Sequence, residues 1–382
     1  MRVLVSTTAG SGHIQPTVPF AAALQRAGHS VHWATAGPAC ASLAAQGYEV
    51  HPAGMAVAER IPRFLDATPD LGAIPPRDRR PRAFATNFAE LAGPAMLDEL
   101  PAIVDEVAPD LMVHEVAELA SAPIATARGI RRVVVAFSGR LPDMVVSATA
   151  GPASALWHQM GLETPPDLGL ESAPYLHPFP PSLGQRPTGR EVRDLRPTVE
   201  APPSAPEWLT SLGRERPIVY ATFGTEAGPQ APWGALVDAL TGLDVDAVIT
   251  VGPAGDPDAL TERAASARGT IRIERFVPQA ALLPRAAVVV SHAGAGTVLA
   301  AASLGRPQVL LPMAADQFEN ADALADAGVA HVLNPGTVDA QEIADSVSEL
   351  MRGALDEAPP RLAAEFAAMP DADEVVRALG LA

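Results

Sequence analysis

Ser291-His-Ala-Gly-Ala-Gly-Thr297, followed by Asp316-Gln-Phe-Glu-Asn320, holds residue types suited to two kinds of recognition. An apolar run, Ala286–Val290, precedes the first stretch and a helical pattern, Val298–Leu304, follows it. A strand, a small-residue turn and a helix start leave unpaired backbone N–H groups aimed at one spot, with the positive end of the helix dipole behind them. That is an anion site. His292 adds a donor there. The second stretch puts carboxylates and carboxamides after another apolar strand, Gln308–Pro312. Groups that accept, beside groups that both donate and accept, are what sugar hydroxyls need. A phosphate cradle next to a hydroxyl reader points to a nucleotide sugar.

Four further groups carry chemistry. Gly10-Ser-Gly-His13-Ile-Gln-Pro16 follows the first strand and approaches the dinucleotide fingerprint, but Gln15 stands at its third glycine and no acidic residue ends the second strand. A His on such a turn is placed to act as a general base; the plainer reading is a His that caps its own helix. A catalytic His needs an acceptor on its other nitrogen. Glu115, at the carboxyl end of the strand Leu111–His114, is the candidate, against the alternative of a solvated loop carboxylate. Asp110, at the opposite end, is expected to cap the sheet bottom. Thr222-Phe-Gly-Thr225 puts a hydroxyl on each side of a glycine, which suits a phosphate oxygen, although such turns are common. In Arg275-Phe-Val-Pro-Gln279, an aromatic before proline can stack on a pyrimidine while the backbone around Val277 and Gln279 reads the base edge; the rival reading is a core Phe beside a turn.

These residues need rigid elements behind them. The chain has 382 residues and is 48% hydrophobic, enough for two full cores. Strand and helix signals alternate: strands at Val3–Ser6, Ser30–Ala34, Leu111–His114 and Val133–Phe137, with helices at Thr17–Ala27, Leu100–Val107 and Leu119–Arg128. This rhythm predicts α/β folding, with a doubly wound parallel sheet. Val57–Ala92 and Ser138–Tyr175 break it and read as irregular insertions. Gly184–Pro206, rich in proline, reads as a linker. The rhythm then resumes, with strands at Ile218–Phe223, Asp246–Val251 and Ile271–Phe276 and helices at Trp233–Gly242 and Ala280–Arg285. The expected organisation is an N-terminal Rossmann-like unit over residues 1–200, a C-terminal one over 206–365, and a helical tail over 366–382 that packs back on the first. Ligands in such sheets bind beyond the carboxyl ends of the strands, so a cleft between the two units is expected.

The net charge of −17 argues against nucleic acid or an anionic membrane as a general partner, but not against a phosphate cradled by backbone N–H groups. Cys40 is alone, which excludes an intrachain disulfide and a cysteine-based zinc site. Met1–Ser6 is a strand rather than a signal peptide, and no apolar run approaches the roughly 18 residues of a spanning helix. A cytoplasmic protein without stable membrane insertion is expected. A homodimer is compatible with the sequence, but nothing in it specifies one.

Taken together, the elements resemble the bacterial natural-product glycosyltransferases, the antibiotic-pathway branch of glycosyltransferase family 1, which also contains the plant UDP-glycosyltransferases. These have the GT-B architecture, two facing Rossmann-like domains. The resemblance covers nearly the whole chain. Its specific part runs from Phe276 to Asn320, through Phe-Val-Pro-Gln, Ser-His-Ala-Gly-Ala-Gly-Thr, Gly-Arg-Pro and Ala-Asp-Gln-Phe-Glu-Asn. It implies an inverting transfer of a sugar, or deoxysugar, from a dTDP- or UDP-linked donor to a hydrophobic aglycone, with no metal and no cofactor beyond that co-substrate. His13 would deprotonate the acceptor. Glu115 stands where the family usually has an orienting Asp, and Phe276 where many members have a stacking Trp. His292, Gly294, Gly296 and Thr297, helped by Thr225, would hold the diphosphate. Asp316 and Gln317 would read sugar hydroxyls, and Phe276, Val277 and Gln279 would serve the base. Plant members carry a ribose-binding Glu three residues after Thr297; here it is Ala300, which leans toward a deoxythymidine donor.

The implied reaction is a single displacement at the anomeric carbon, giving a β-linkage from an α-linked donor. An aromatic acceptor attacking through carbon is the variant. The acceptor wall is expected among Phe64, Phe84, Phe88, Met96, Phe137, Leu141, Met144, Trp157 and Met160, about half of them core. Three rivals share parts of this pattern: a membrane-lipid glycosyltransferase, for which Arg77-Asp-Arg-Arg80-Pro-Arg82 offers a small basic face, a non-hydrolysing nucleotide-sugar epimerase using Asp316 and Glu319, and a non-catalytic helper protein.

Overall fold

A computed structural model of the chain describes residues 1–184, 186–187, 191–198, 205–224, 231–253, 255–355 and 357–382. It divides into two compact units. One comprises Met1–Phe179, Gln185–Arg196 and Met369–Ala382, the other Pro180–Gly184 and Pro197–Ala368.

The N-terminal unit is built on seven strands: β1 (Arg2–Ser6), β2 (Ser30–Thr35), β3 (Glu49–Pro52), β4 (Leu111–Glu115), β5 (Arg131–Val135), β6 (Tyr175–His177) and β7 (Val192–Asp194). They form a parallel sheet in the order β3-β2-β1-β4-β5-β6-β7. Alternation along β1 sends Leu4 into one core and Val3 and Val5 into the other, so both faces are dry. A strand buried on both sides reads as an unbroken apolar run, which is why Val3–Ser6 was legible.

The C-terminal unit has β8 (Ile218–Thr222), β9 (Asp246–Thr250), β10 (Ile271–Glu274), β11 (Ala286–Ser291), β12 (Gln308–Leu310) and β13 (Ala330–Val332), parallel in the order β10-β9-β8-β11-β12-β13. Val219 and Ala221 face one core, Ile218 and Tyr220 the other. In both sheets the order reverses beside the first strand of the unit, between β1 and β4 and between β8 and β11. Such a reversal opens a crevice at the carboxyl ends of the two strands.

Three expectations are corrected. Val57–Ala92 is not irregular but mostly helical: Val57–Ala67, two short 3₁₀ turns, Arg80–Phe84, and a π-helical stretch Ala85–Ala92 that runs on into Gly93–Val107. Pro62, Pro81 and Pro94 disguise it: Pro81 sits in a first turn, where a missing N–H costs little, whereas Pro62 lies inside its helix and Pro94 where the π-helical stretch passes into the α-helix. Ser138–Tyr175 likewise contains the helix Asp143–Gln159. In the expected linker, Val192–Asp194 pairs with β6 as an edge strand, where three residues are too few to show a period.

The tail forms the helices Ala358–Ala368, which packs on Ala295–Ser303, and Ala372–Ala378, which packs on Val18–Arg26. A capping box starts the last helix, with Asp371 accepting from the Glu374 N–H and Glu374 from that of Asp371. Val375, Val376 and Leu381 are buried, each stabilising the packing by about 1.5–3 kcal/mol. Arg26 adds a bidentate contact to Asp373, both bonds 3.0 Å long.

Candidate functional site

In the N-terminal unit the candidates meet at the sheet reversal. His13 sits on the short helix Ser11–Ile14 that follows β1, and Glu115 ends β4, the neighbouring strand. Their side chains approach to 3.3 Å, His13 Nδ1 to Glu115 Oε1. The contact is close but misaligned for a linear hydrogen bond, so Nδ1 lacks a well-directed partner among the described residues. Glu115 is fully buried. Burial alone would push its pKa up, but the facing His13 and the N–H groups of Ala117 and Thr8, at 2.5 and 3.3 Å, hold it below the usual carboxylate range. It is therefore a fixed anion aimed at an imidazole.

The ring of His13 is boxed by the edges of Phe88 and Phe137, with centroids 5.2 and 5.1 Å away. Phe88 comes from the π-helical stretch, a distortion that often re-aims side chains at functional sites. Arg60, almost fully buried, lies over the Phe88 ring and donates to the Ala9 carbonyl. Arg60 carried no signal in the sequence and Phe88 figured only among the expected acceptor wall, because their nearness to His13 arises from helices that were not legible. Of the expected acceptor wall, Phe84, Phe88, Met96, Leu141 and Trp157 are core residues, whereas Met144 is exposed. Asp110 does serve the opposite end of β4, accepting from the Arg2 N–H at 2.8 Å.

A second carboxylate, Glu118, lies three residues beyond Glu115. It is fully buried and accepts from the N–H groups of Ala120 and Ser121. Burial, aided by the nearby Glu115 charge, raises its pKa to about 7. A carboxyl group that titrates near 4.5 when unfolded and near 7 when folded stabilises fully below pH 4.5, and that contribution is lost between pH 4.5 and 7. Glu118→Gln keeps the acceptor and removes the charge. It should raise stability at pH 8 by about 1–3 kcal/mol and leave it nearly unchanged at pH 4.5. Denaturant melts at the two pH values check this; an unchanged or lower stability at pH 8 would refute it.

In the C-terminal unit the corresponding reversal brings the end of β8 beside that of β11. His292 follows β11 and packs against the turn after Thr222. Its ring lies between two glycines: a Cβ on Gly294 would stand 2.5 Å from Nε2, and one on Gly224 2.9 Å from Cε1. Burial lowers the His292 pKa while the Asp316 carboxylate opposes this, so the ring is neutral at pH 7. Its Nδ1 has no well-aligned partner among the described residues. Ala293 takes φ 64°, a left-handed conformation that costs a non-glycine residue about 1–3 kcal/mol and persists where the surroundings impose it.

Gly294 is the N-cap of the helix Ala295–Ser303 and offers no side chain for its first N–H groups, while the position of a Gly296 Cβ is open space. Gln279 and Thr297, 18 residues apart, are joined by a 3.0 Å bond from the amide to the hydroxyl, and Tyr220 OH accepts from the same amide at 3.2 Å. Phe276 is 73% exposed, unlike a core Phe, and Val277 is buried, which leaves only its backbone for a ligand. Asp316 precedes the helix Gln317–Asp326 and accepts from Asn320, which also donates to the Ala293 carbonyl, both at 3.0 Å. Asn320 thus ties the hydroxyl-reading segment to the strained turn. It belongs to the motif that drew attention, but its buried inward aim gives no sequence signal. The Gln317 oxygen accepts from the N–H groups of Met313 and Ala314, so only its NH₂ end is left for a sugar. Thr225 lies outside the described residues.

Comparison with known proteins agrees with this fold. Residues 234–380 match the family described as erythromycin biosynthesis protein CIII-like, C-terminal domain. The L-demethylnoviosyl transferase of Streptomyces niveus is 29% identical over 92% of this chain and 90% of its own length. The 10-deoxymethynolide desosaminyltransferase of Streptomyces venezuelae is 28% identical over 92% and 89%. Among solved structures, the glycosyltransferase VinC in complex with dTDP superposes with a TM-score of 0.78 at 24% identity, covering 100% of this chain and 98% of that one. No helix among the described residues is long and apolar enough to cross a membrane. By fold the chain is of the two-Rossmann-domain, GT-B type, and along nearly its whole length its sequence is similar to those of bacterial glycosyltransferases such as these.

Proposed function

We propose that the chain transfers a sugar, with inversion, from a dTDP-linked donor to a hydrophobic natural-product acceptor. The observation that carries this reading is the ionised, buried Glu115 aimed at His13 within an aromatic box. His13 Nε2 removes the proton of the acceptor hydroxyl as the new bond forms at the anomeric carbon, and Glu115 stabilises the resulting imidazolium. The apolar ring edges of Phe88 and Phe137 suit an aromatic or aliphatic aglycone.

The C-terminal unit serves the leaving group. The diphosphate sits over Gly294–Thr297, where the free N–H groups, the helix dipole and the His292 ring meet negative charge as it develops. The sugar hydroxyls pair with the Asp316 carboxylate and the Gln317 NH₂ group. Phe276 stacks on the base. Ala300 is buried and apolar, so it offers no acceptor to a ribose hydroxyl, which favours a 2′-deoxy donor. The relatives matched along about nine-tenths of their length, a demethylnoviosyl transferase and a desosaminyltransferase, support a transferase over an epimerase. No step assigned to these residues calls on a metal ion.

Two experiments test the reading. Nucleoside diphosphates are titrated by thermal shift, where dTDP should raise the melting temperature more than UDP and GDP. Turnover of a dTDP-α-sugar with an aromatic acceptor panel should give a β-linked product by NMR; an α-linked product would rule out single displacement. Phe276→Ala should leave stability within about 0.5 kcal/mol, the side chain being exposed, and weaken dTDP about 3- to 10-fold through lost stacking. Calorimetric titration measures the second effect, and unaltered affinity would remove Phe276 from the base site.

A further inference from the structure

Outside the residues given to sugar transfer, β2 and β3 bring together two imidazoles and a carboxylate. β3 is the terminal strand of its sheet. The parallel register sets His32 opposite Glu49 and Ala34 opposite His51, so strand alternation puts Glu49 and His51 on one face. His32 Nδ1 lies 3.2 Å from His51 Nε2 and 3.5 Å from Glu49 Oε2, and the three ligand atoms all fall within 4.8 Å of one another.

We propose that His32, Glu49 and His51 form a binding site for one divalent zinc-like cation, which clamps the edge strand to its neighbour. Tetrahedral zinc holds imidazole nitrogen at about 2.0–2.1 Å and carboxylate oxygen at about 2.0–2.2 Å, so neighbouring ligand atoms stand roughly 3.3–3.5 Å apart. The two separations measured from His32 Nδ1 have this size. Closing the third requires only a rotation of the Glu49 side chain, which is 67% exposed and free to turn. A proton on His32 Nδ1 shared between the other two groups gives the same clustering, and a cation at their centre replaces that proton.

The second observation lies on the far side of the ring. His32 Nε2 is 3.2 Å from Ser30 Oγ. A metal-bound imidazole donates its other N–H to an acceptor that fixes its tautomer, and Ser30 supplies one. Two His and one carboxylate leave a fourth position for water, and this donor set suits Zn²⁺, with Cu²⁺ and Ni²⁺ as competitors. An edge strand offers unpaired backbone groups to other chains, and pinning it reduces that liability.

The test uses the full chain without a histidine tag, stripped with EDTA. Zn²⁺ is titrated against a chromophoric chelator, and Co²⁺ is added separately to read its visible bands. The expected result is one equivalent of Zn²⁺ bound at micromolar or tighter affinity, tetrahedral Co²⁺ absorption, and a raised melting temperature. His51→Gln and His32→Gln should each weaken binding by at least about 10-fold, and Ser30→Ala by about 10-fold, while His13→Gln leaves it unchanged. Circular dichroism and the metal-free melting temperature confirm that each variant is folded. Absence of stoichiometric binding would overturn the proposal, and so would binding that survives loss of both His32 and His51 in a folded chain.

Discussion

His13→Ala should lower the turnover number about 10²- to 10⁴-fold, the usual contribution of a positioned general base, while dTDP affinity stays the same. The two readouts separate because His13 belongs to the N-terminal unit and the residues assigned to the diphosphate belong to the other. The side chain is largely buried between the ring edges of Phe88 and Phe137 and faces Glu115, so circular dichroism and a melting temperature confirm that the variant is folded before its kinetics are read. Glu115→Gln is the companion variant. The Gln oxygen accepts from either Ala117 or Thr8 and the other buried N–H then faces the amide NH₂, so some stability is lost along with the anion that stabilises imidazolium, and a melting temperature is measured beside turnover. Turnover should fall less than for His13→Ala and recover toward high pH if proton removal is the step affected. Single-turnover kinetics measure both. Full activity in His13→Ala would remove it from the mechanism, whatever its distance from Glu115.

Gly294→Ala should cost about 10²-fold in kcat/KM, comparable to losing one preorganised donor to a developing anion. The backbone there has φ −63°, which alanine adopts without strain, so the effect is purely one of space. A Cβ 2.5 Å from His292 Nε2 is closer than real Cβ contacts come, and the same ring edge lies close to Gly224, so the ring or the turn has to shift. The matched control is Gly296→Ala, whose Cβ meets nothing within 4 Å. That variant should keep its melting temperature and still lose dTDP affinity, because the space it enters is assigned to phosphate. If Gly294→Ala binds dTDP and turns over normally, His292 is not a phosphate donor. If Gly296→Ala binds normally, the diphosphate lies elsewhere.

Strands buried on both faces announce themselves as apolar runs, so β1, β4, β8 and β11 were legible, and with them the doubly wound class. Turns that need special backbone chemistry were legible too. Ser291–Thr297 and Gly10–Pro16 stand out because glycines and a histidine cluster between an apolar strand and a helix start, and the chemistry open to His13, Glu115, His292 and Asp316 follows from their types. Short strands such as β3, β6 and β7 were not, because three or four residues cannot establish a period. The helices across residues 57–99 were hidden by prolines, which usually mark breaks but are tolerated here in a first turn, as at Pro81, or inside a helix, as at Pro62.

Partnership was legible in one case, Glu115 as the acceptor expected for His13, and its geometry in none. His13 and Glu115 are separated by 102 positions, and they meet because β1 and β4 are neighbours at the point where strand order reverses. That order is set by which helices cover which face, a property of the whole sheet rather than of any segment. The same holds for Gln279 with Thr297, for Phe88 turned onto His13 by a π-helical stretch, and for His32, Glu49 and His51 across an edge pair. Residue type set what each group can do; tertiary packing decided which groups do it together, since distance and burial, rather than identity, set hydrogen bonds and pKa values.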